Sequence, residues 1–406
     1  MSMEMGRMNG WQKIRLGEVI ESANTGLDAI KRAPIVKFDT GIKCLRIQDI
    51  SQAKDFKNWG YCEVEERNYD KFSIKKGDIF IARTGATIGV NVLFDEDLKS
   101  VFNNGLIRLR VNEVIADYQY IYYIMQSRNY KAYIKSISGG TSTQPNMKIN
   151  ALLDYEISLP SLEEQREIGL TLKVLDDKIE NNRKINQNLE EIAQAIFKSW
   201  FVDFEPWGGK MPDGWKKSSL TEIANYLNGL AMQKFRPHGD EVGIPVLKIK
   251  ELRQGFTDSS SDLCSPNIKE DYIVNDGDVI FSWSGSLLID FWCSGIAGLN
   301  QHLFKVTSDR HNKWFYYSWT KYHLEEFIAI AADRATTMGH IKREHLKNAE
   351  VLIPNDLDYE ELGSVLDPIF DKIINNRVEI QNLVNLRDDL LPRLVSHELE
   401  VEGAFK

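Results

Sequence analysis

Between Ile168 and Ile196 the apolar positions advance in alternating steps of four and three: Ile168, Leu172, Leu175, Ile179, then Asn182, Asn186, Leu189, Ala193 and Ile196. A second run repeats the rhythm through Leu362, Leu366, Ile369, Ile373, Asn376, Ile380, Leu383, Arg387, Leu390 and Leu394. A mean step of about 3.5 keeps one stripe of side chains facing a partner helix, so the spacing predicts two long coiled-coil helices. Each run follows a proline, Pro160 or Pro354, and Ser161 stands where a helix cap belongs. Outside these runs the pattern changes. KCLRIQDI, GDIFIAR and GLIRLRV carry the β-branched, alternating character of strands between Gly-rich turns. DYQYIYYIMQSRNYKAYI and KWFYYSWTKYHLEEFIAI have helical spacing. No βαβ cadence links them, so the expected class is α+β.

The chain also says most things twice. DKIENNR at 177–183 returns as DKIINNR at 371–377. GWQKIRLGEV from Gly10 matches GWKKSSLTEI from Gly214, KKGDIFIARTG matches NDGDVIFSWSG, FNNGLIRLR from Phe102 matches LNQHLFKV from Leu299, and YIYYIM from Tyr120 matches WFYYSW from Trp314. GGTSTQPNMKINALLDYEISLP pairs with ADRATTMGHIKREHLKNAEVLIP. Such self-similarity in chain order marks a duplicated unit. The expected organisation is a globule at 1–160, a helix at 161–205, a second globule at 206–355, and a second helix with its tail at 356–406. If the second helix returns along the first, the two are antiparallel and the chain is pseudo-twofold, with two similar globules separated by an intramolecular coiled coil. Helix midpoints then bring Ile179, Asn181 and Asn182 to Ile373, Asn375 and Asn376. The paired asparagines are either a buried polar clasp that sets register or part of a solvated flank.

Length and composition change the picture in three ways. At 406 residues the chain is too long for one ordinary core, which fits the duplication. The formal charge of −9 seems to exclude a phosphate partner, but its location matters. Residues 163–191 hold eight acidic and five basic side chains, and 356–393 hold nine and four, so the two helices carry nearly all the excess. The globules are left free to present basic patches. The four cysteines form no CxxC pair, the start has no apolar leader and no run of about 18 apolar residues occurs, so a cytoplasmic protein away from membranes is expected. There is no GxxxxGK[ST], no GxGxxG, no NPPY or DPPY methyltransferase motif and no ExK tripeptide. His340 and His345 are five apart and point to different helix faces, unlike the zinc pair of HExxH, so no metal ligand is expected.

The GW…L.E entry to each globule, the GDI(F/V)(I/F) strand followed by a Gly turn, the Thr-containing segment before I…L…..LP and the DKI.NNR helices, in this order and twice, resemble the specificity subunit of type I restriction-modification enzymes. The resemblance covers nearly the whole chain. It implies two target recognition domains on helical spacers and a non-catalytic reader of double-stranded DNA. It also implies two methyltransferase subunits using S-adenosylmethionine as partners and, through them, a restriction and translocase subunit driven by ATP with Mg. No cofactor is expected on this chain itself. Two readings from other classes compete: an enzyme with an unfamiliar site, and a scaffold binding proteins only.

Candidate DNA contacts follow from side-chain chemistry on the loops. In the first copy these are Arg83 and Thr84, then Ser142, Thr143, Gln144, Asn146 and Lys148. Gln144 and Asn146 have the donor and acceptor that adenine requires, Arg83 suits guanine, and Ser142, Thr143 and Lys148 suit phosphates. In the second copy Ser284, Thr336, Thr337, His340 and Lys342 occupy matching places, with Arg334 nearby. The alternative for each is a turn former or a solvated charge. The aromatic runs Tyr118–Tyr123 and Trp314–Trp319 have core spacing rather than the look of a stacking platform. FKSWFVDFEPW, at the end of the first helix, is expected to bury against the second globule or a partner.

Overall fold

The computed structural model describes residues 11–138, 146–333 and 339–399. The chain divides into two compact units, Met1–Asp176 with Asn385–Lys406, and Asp177–Val384. Two 40-residue helices, Leu162–Phe201 and Asp356–Val395, are each shared between the units. At 1.5 Å per residue each is about 60 Å long.

Unit 1 contains an antiparallel four-stranded sheet in the order Ile20–Thr25, Leu106–Val111, Ile79–Ala82, Asn91–Leu93. A second sheet runs Ile35–Val36, Tyr61–Cys62, Lys43–Leu45, Ser100–Phe102, its last pair parallel. Gln12–Arg15 pairs with Glu156–Leu159 in a separate ribbon. Unit 2 repeats the plan: Asn225–Asn228, Leu303–Thr307, Val279–Ser282, Leu288–Phe291 in one sheet, and a ribbon of Lys216–Ser219 with Glu350–Ile353. Its second sheet runs Leu263–Cys264, Ile244–Leu247, Ala297–Leu299, Ile273–Val274, with the middle pair parallel. The fold is α+β and duplicated, as the sequence pattern implied.

The nearly unbroken apolar strand of each copy lies between two cores. Ile79 and Ile81 join the core beneath the helices, while Phe80 and Ala82 join the core of the second sheet. Val279 and Phe281 divide from Ile280 in the same way. Alternate side chains leave opposite faces of a strand, so both faces must be apolar when both are covered. The Gly-Asp pair that precedes this strand is structural. Gly77 and Gly277 have φ of 85° and 81°, which favours glycine. The carboxylate of Asp78 accepts from the Lys75 backbone N–H at 2.9 Å and from Arg110 Nε at 2.8 Å. Asp278 accepts from the Asn275 N–H and from Lys305 Nζ, both at 2.8 Å.

The aromatic runs are core. Tyr120, Tyr123, Trp314, Phe315 and Trp319 are all buried, and the Tyr120 hydroxyl donates to the Ser158 carbonyl at 2.7 Å. The aromatic end of the first long helix is buried inside unit 2, where the Phe201 ring lies among those of Trp215, Phe315 and Trp319.

The helix segments within unit 2 run antiparallel: Lys178 and Asn182 meet Glu379, whereas Asn186 meets Asn376 and the Ile373 carbonyl. In unit 1, Asp176 meets Arg387 at 2.7 Å. Ile179, Asn182, Ile373 and Asn376 are buried in the seam, whereas Asn181 and Asn375 are exposed. Neighbours on a helix are about 100° apart, so only one of an adjacent pair can face the partner. The register also differs from a midpoint pairing of Asn182 with Asn376. Asn376 Nδ2 donates to Asn186 Oδ1 at 2.9 Å, Asn186 Nδ2 donates to the Ile373 carbonyl at 3.1 Å, and Asn182 Nδ2 donates to Glu379 Oε2 at 2.7 Å. The polar contact is one turn further along, because Asn186 has a carbonyl and a carboxamide in reach together. The Asn182 bond holds the Glu379 carboxyl below its usual range.

A buried amide that loses its partner keeps its desolvation cost. Asn186→Ala should therefore cost about 1–3 kcal/mol in urea melts. The double change Asn186→Leu with Asn376→Leu should recover at least that loss while weakening control of register. A double variant less stable than Asn186→Ala would contradict the clasp.

Candidate nucleic-acid interface

In each unit, loops distant in sequence converge at one end of the four-stranded sheet. Gly26 lies against the loop after Phe102 so tightly that a Cβ would come within 2.1 Å of the Phe102 carbonyl oxygen. Gly229 is held the same way, since a Cβ there would come within 2.3 Å of the Asn300 carbonyl oxygen. Bridges between Leu27 and Asn103, and between Leu230 and Asn300, lock the two contacts. The segment after the central strand then joins. Thr84 bridges to Asn146 and Ser284 to His340, both antiparallel. The Met147 N–H donates to the Arg83 carbonyl at 2.9 Å, and the Ile341 N–H to the Trp283 carbonyl at 3.0 Å.

The two candidate segments of each copy are thus brought side by side. In unit 1 this places Arg83, Thr84, Asn146 and Lys148 together, with Asn146 and Lys148 exposed and Arg83 and Thr84 half-buried. In unit 2 it places Ser284, His340 and Lys342 together. Ser142, Thr143, Gln144, Arg334, Thr336 and Thr337 lie outside the described residues.

The chemistry at equivalent positions differs between units. In unit 1 the Arg83 guanidinium donates to Asn146 Oδ1 from Nε at 3.1 Å and from Nη2 at 2.9 Å, and the Arg83 N–H donates to the Gly105 carbonyl. In unit 2 the place of Arg83 is taken by Trp283, whose indole donates to Asn228 Oδ1 at 2.9 Å and whose ring lies 6.0 Å from that of His302 and 6.3 Å from that of His340. His302 stands where unit 1 has Gly105. Its Nδ1 is 3.0 Å from the Ser284 hydroxyl, and Gln301 Nε2 is 3.3 Å from its Nε2.

This corrects the expectation for Ser284, which is only 3% exposed. A hydroxyl covered by an imidazole is not presented to a phosphate. His302, Gln301 and Trp283 lie beside the candidate residues and are further candidates that the loop chemistry alone did not single out. Their signal was the aligned pair FNNG and LNQH, which places a polar, aromatic-flanked loop in the second copy. His340 and His345 serve separate purposes: His340 sits in the Ser284 bridge, and His345 Nδ1 accepts from the Lys342 N–H at 3.1 Å at the start of helix Arg343–Asn348. Among the described residues no group of His, Cys, Asp and Glu is arranged to hold a metal ion, and no helix is long and apolar enough to cross a membrane.

Loops of polar side chains on a rigid sheet end, built twice with different chemistry, suit readout of two different short sequences. Comparison with known proteins agrees. A family model described as the type I restriction modification DNA specificity domain matches residues 8–191 and again 212–386. The chain is 30% identical over 383 residues to the type I restriction enzyme MjaIX specificity subunit of Methanocaldococcus jannaschii, covering 86% of each protein. It is 22% identical to the HindI specificity subunit of Haemophilus influenzae, over 97% of this chain and all of that one. The crystal structure of the type I restriction-modification S subunit from M. genitalium shares the fold, with a TM-score of 0.64 at 17% identity, over 97% of this chain and 98% of that one.

Proposed function

The chain belongs to the family of type I restriction-modification DNA specificity subunits, and on that premise we propose that each unit reads one half of an asymmetric two-part duplex target. The protein is a non-catalytic recognition subunit. The observation that carries the two-part reading is the repeated convergence of loops with unlike side chains: Arg83 and Asn146 in one unit, Trp283, His302 and His340 in the other. Equivalent positions with different donors and acceptors select different bases. Arg83, Thr84, Asn146 and Lys148 form the contact set of unit 1, and His340 and Lys342, joined by Gln301 and His302, that of unit 2. Exposed Lys148 and Lys342 supply phosphate contacts, which position without specifying sequence.

The chain also scaffolds its complex. Two methyltransferase subunits, one for each copy of the duplicated fold, bring S-adenosylmethionine; a restriction and translocase subunit held through them brings ATP and Mg. The complex works in the cytoplasm, where its DNA target is found.

Mapping methylated adenines made by the purified complex tests this reading. The expected result is a gapped motif with two unlike halves. A single continuous motif, or binding to duplex that does not weaken with salt, would count against it. Removal of one heptad from each long helix keeps the seam in phase and shortens each by about 10 Å. The gap should then contract by about three base pairs, at 3.4 Å per step. An unchanged gap would show that the helices do not set it.

A further inference from the structure

The contact between Arg83 and Asn146 leaves unit 1 with a surface patch of donors. A guanidinium has five N–H groups and no acceptor, and a carboxamide has one oxygen and two N–H groups. Arg83 Nε and Nη2 both donate to Asn146 Oδ1, so the only acceptor of the pair is engaged twice. Among the described residues nothing else takes the three other guanidinium N–H groups or the two of Asn146 Nδ2, which are left to serve a ligand. Both residues are accessible, and among the described residues no carboxylate pairs with Arg83.

This arrangement decides between bases. Asparagine reads adenine by accepting from N6 while donating to N7. Asn146 would have to release Arg83 to do so, so the contact favours a role in positioning Arg83 over the adenine role that its side chain alone implies. Cytosine presents an N4 donor and is rejected by a patch of donors. Thymine offers one acceptor beside a methyl group. Guanine offers two acceptors, O6 and N7, at the spacing of a guanidinium fork. The backbone holds the pair in place: Thr84 bridges Asn146, and the Met147 N–H bonds the Arg83 carbonyl, so the side chains stand on adjacent bridged segments. Tethering the guanidinium to Asn146 also removes part of the rotamer freedom that binding would otherwise freeze. Unit 2 has Trp283 and His340 at these positions and lacks the patch.

Resting on the reading of unit 1 as a half-site reader, we propose that Arg83, positioned by Asn146, specifies a guanine in the half-site bound by unit 1. The test is the set of sequences methylated by the complex of this chain with its methyltransferase, for wild type, Arg83→Ala and Asn146→Asp. The wild-type motif should hold an obligatory G·C pair in one half. In Arg83→Ala that single position should become degenerate, with discrimination there falling roughly 10- to 100-fold and the other half unchanged. Asn146→Asp keeps size and shape but adds a charge that ties up the guanidinium, and should loosen the same position. It carries the test if Arg83→Ala does not fold. Three outcomes overturn the assignment: an unaltered motif, loosening at an A·T pair, or a uniform loss across all duplexes, which would make Arg83 a phosphate contact. If the wild-type complex methylates no defined sequence, the half-site reading itself falls, and the guanine with it. An intact two-part motif unaffected by both variants overturns the guanine alone.

Discussion

Replacing Phe201 with alanine is expected to destabilise unit 2 by about 3–5 kcal/mol, the range for removing a large buried ring. Phe201 is 2% exposed near the end of the first long helix. Its ring centroid lies 5.0 Å from Phe197, 5.3 Å from Trp215, 5.5 Å from Trp319 and 6.0 Å from Phe315. Those neighbours are planar, and Trp215 stands at the entry to the ribbon strand Lys216–Ser219, while Phe315 and Trp319 belong to the helix Lys313–Tyr322. Side chains of that kind cannot flow into a vacated space, so most of the cavity persists and its cost adds to the lost burial. Urea melts followed by tryptophan fluorescence should show an early transition, because Trp215 and Trp319 line the damage. Phe204→Ala, a few residues on and only half-buried, should cost distinctly less. Equal losses for the two variants would mean that the helix end is not anchored in this core. The same destabilisation should weaken recognition of one half of the target more than the other.

The anchor was half legible in the sequence. The spacing marked FKSWFVDFEPW as apolar on a helix, but burial in the second globule and docking to a partner leave the same pattern. The coiled-coil seam was readable because a period of 3.5 is a local property. Its register was not, since that depends on which carboxamide reaches which carbonyl across the pair. Asn186 was on the seam from the start, yet nothing local chose it over Asn182 as the mate of Asn376. The candidate contact loops follow the same rule. Each segment was recognisable by its own composition, but the bridge joining Thr84 to Asn146 spans dozens of residues and is set by how strands pair. Ser284 shows where alignment misleads. It matches Thr84, but the residue beside it in space is a histidine in one copy and a glycine in the other, and the imidazole covers the hydroxyl. Conversely, the repeated Gly-Asp was visible in both copies, and its meaning is a turn closed by a carboxylate that is buried in unit 1 and partly buried in unit 2.

The repeated heptapeptide ends in arginine twice, and the two arginines are expected to behave differently. Arg377 is buried to 23% side-chain exposure, with Nη2 on Glu190 Oε1 at 2.7 Å and Nη1 on Asp290. Burial alone would disfavour its charge, but the carboxylates of Asp290 and Glu190 more than offset that and hold the guanidinium above its ordinary range. Arg377→Ala leaves two carboxylates without a counter-charge in a partly dry site. Removing one member of a fully buried ion pair costs about 3–5 kcal/mol; with both partners about one-third exposed and reached by water, about 2–3 kcal/mol is expected here. Arg377→Lys should recover only part of the loss, because one ammonium cannot serve both carboxylates with the planar fork of arginine. Adding Asp290→Asn and Glu190→Gln to Arg377→Ala should restore stability, since the cost comes from stranded charge rather than from lost packing. Arg183, its counterpart, is exposed and lies 3.9 Å from Glu180 on the same helix. Arg183→Ala should shift stability by less than about 0.5 kcal/mol. Melts of the two single variants in parallel settle the matter: matched losses would mean that the identical sequence positions do identical work, and that the ion pairs of Arg377 add nothing.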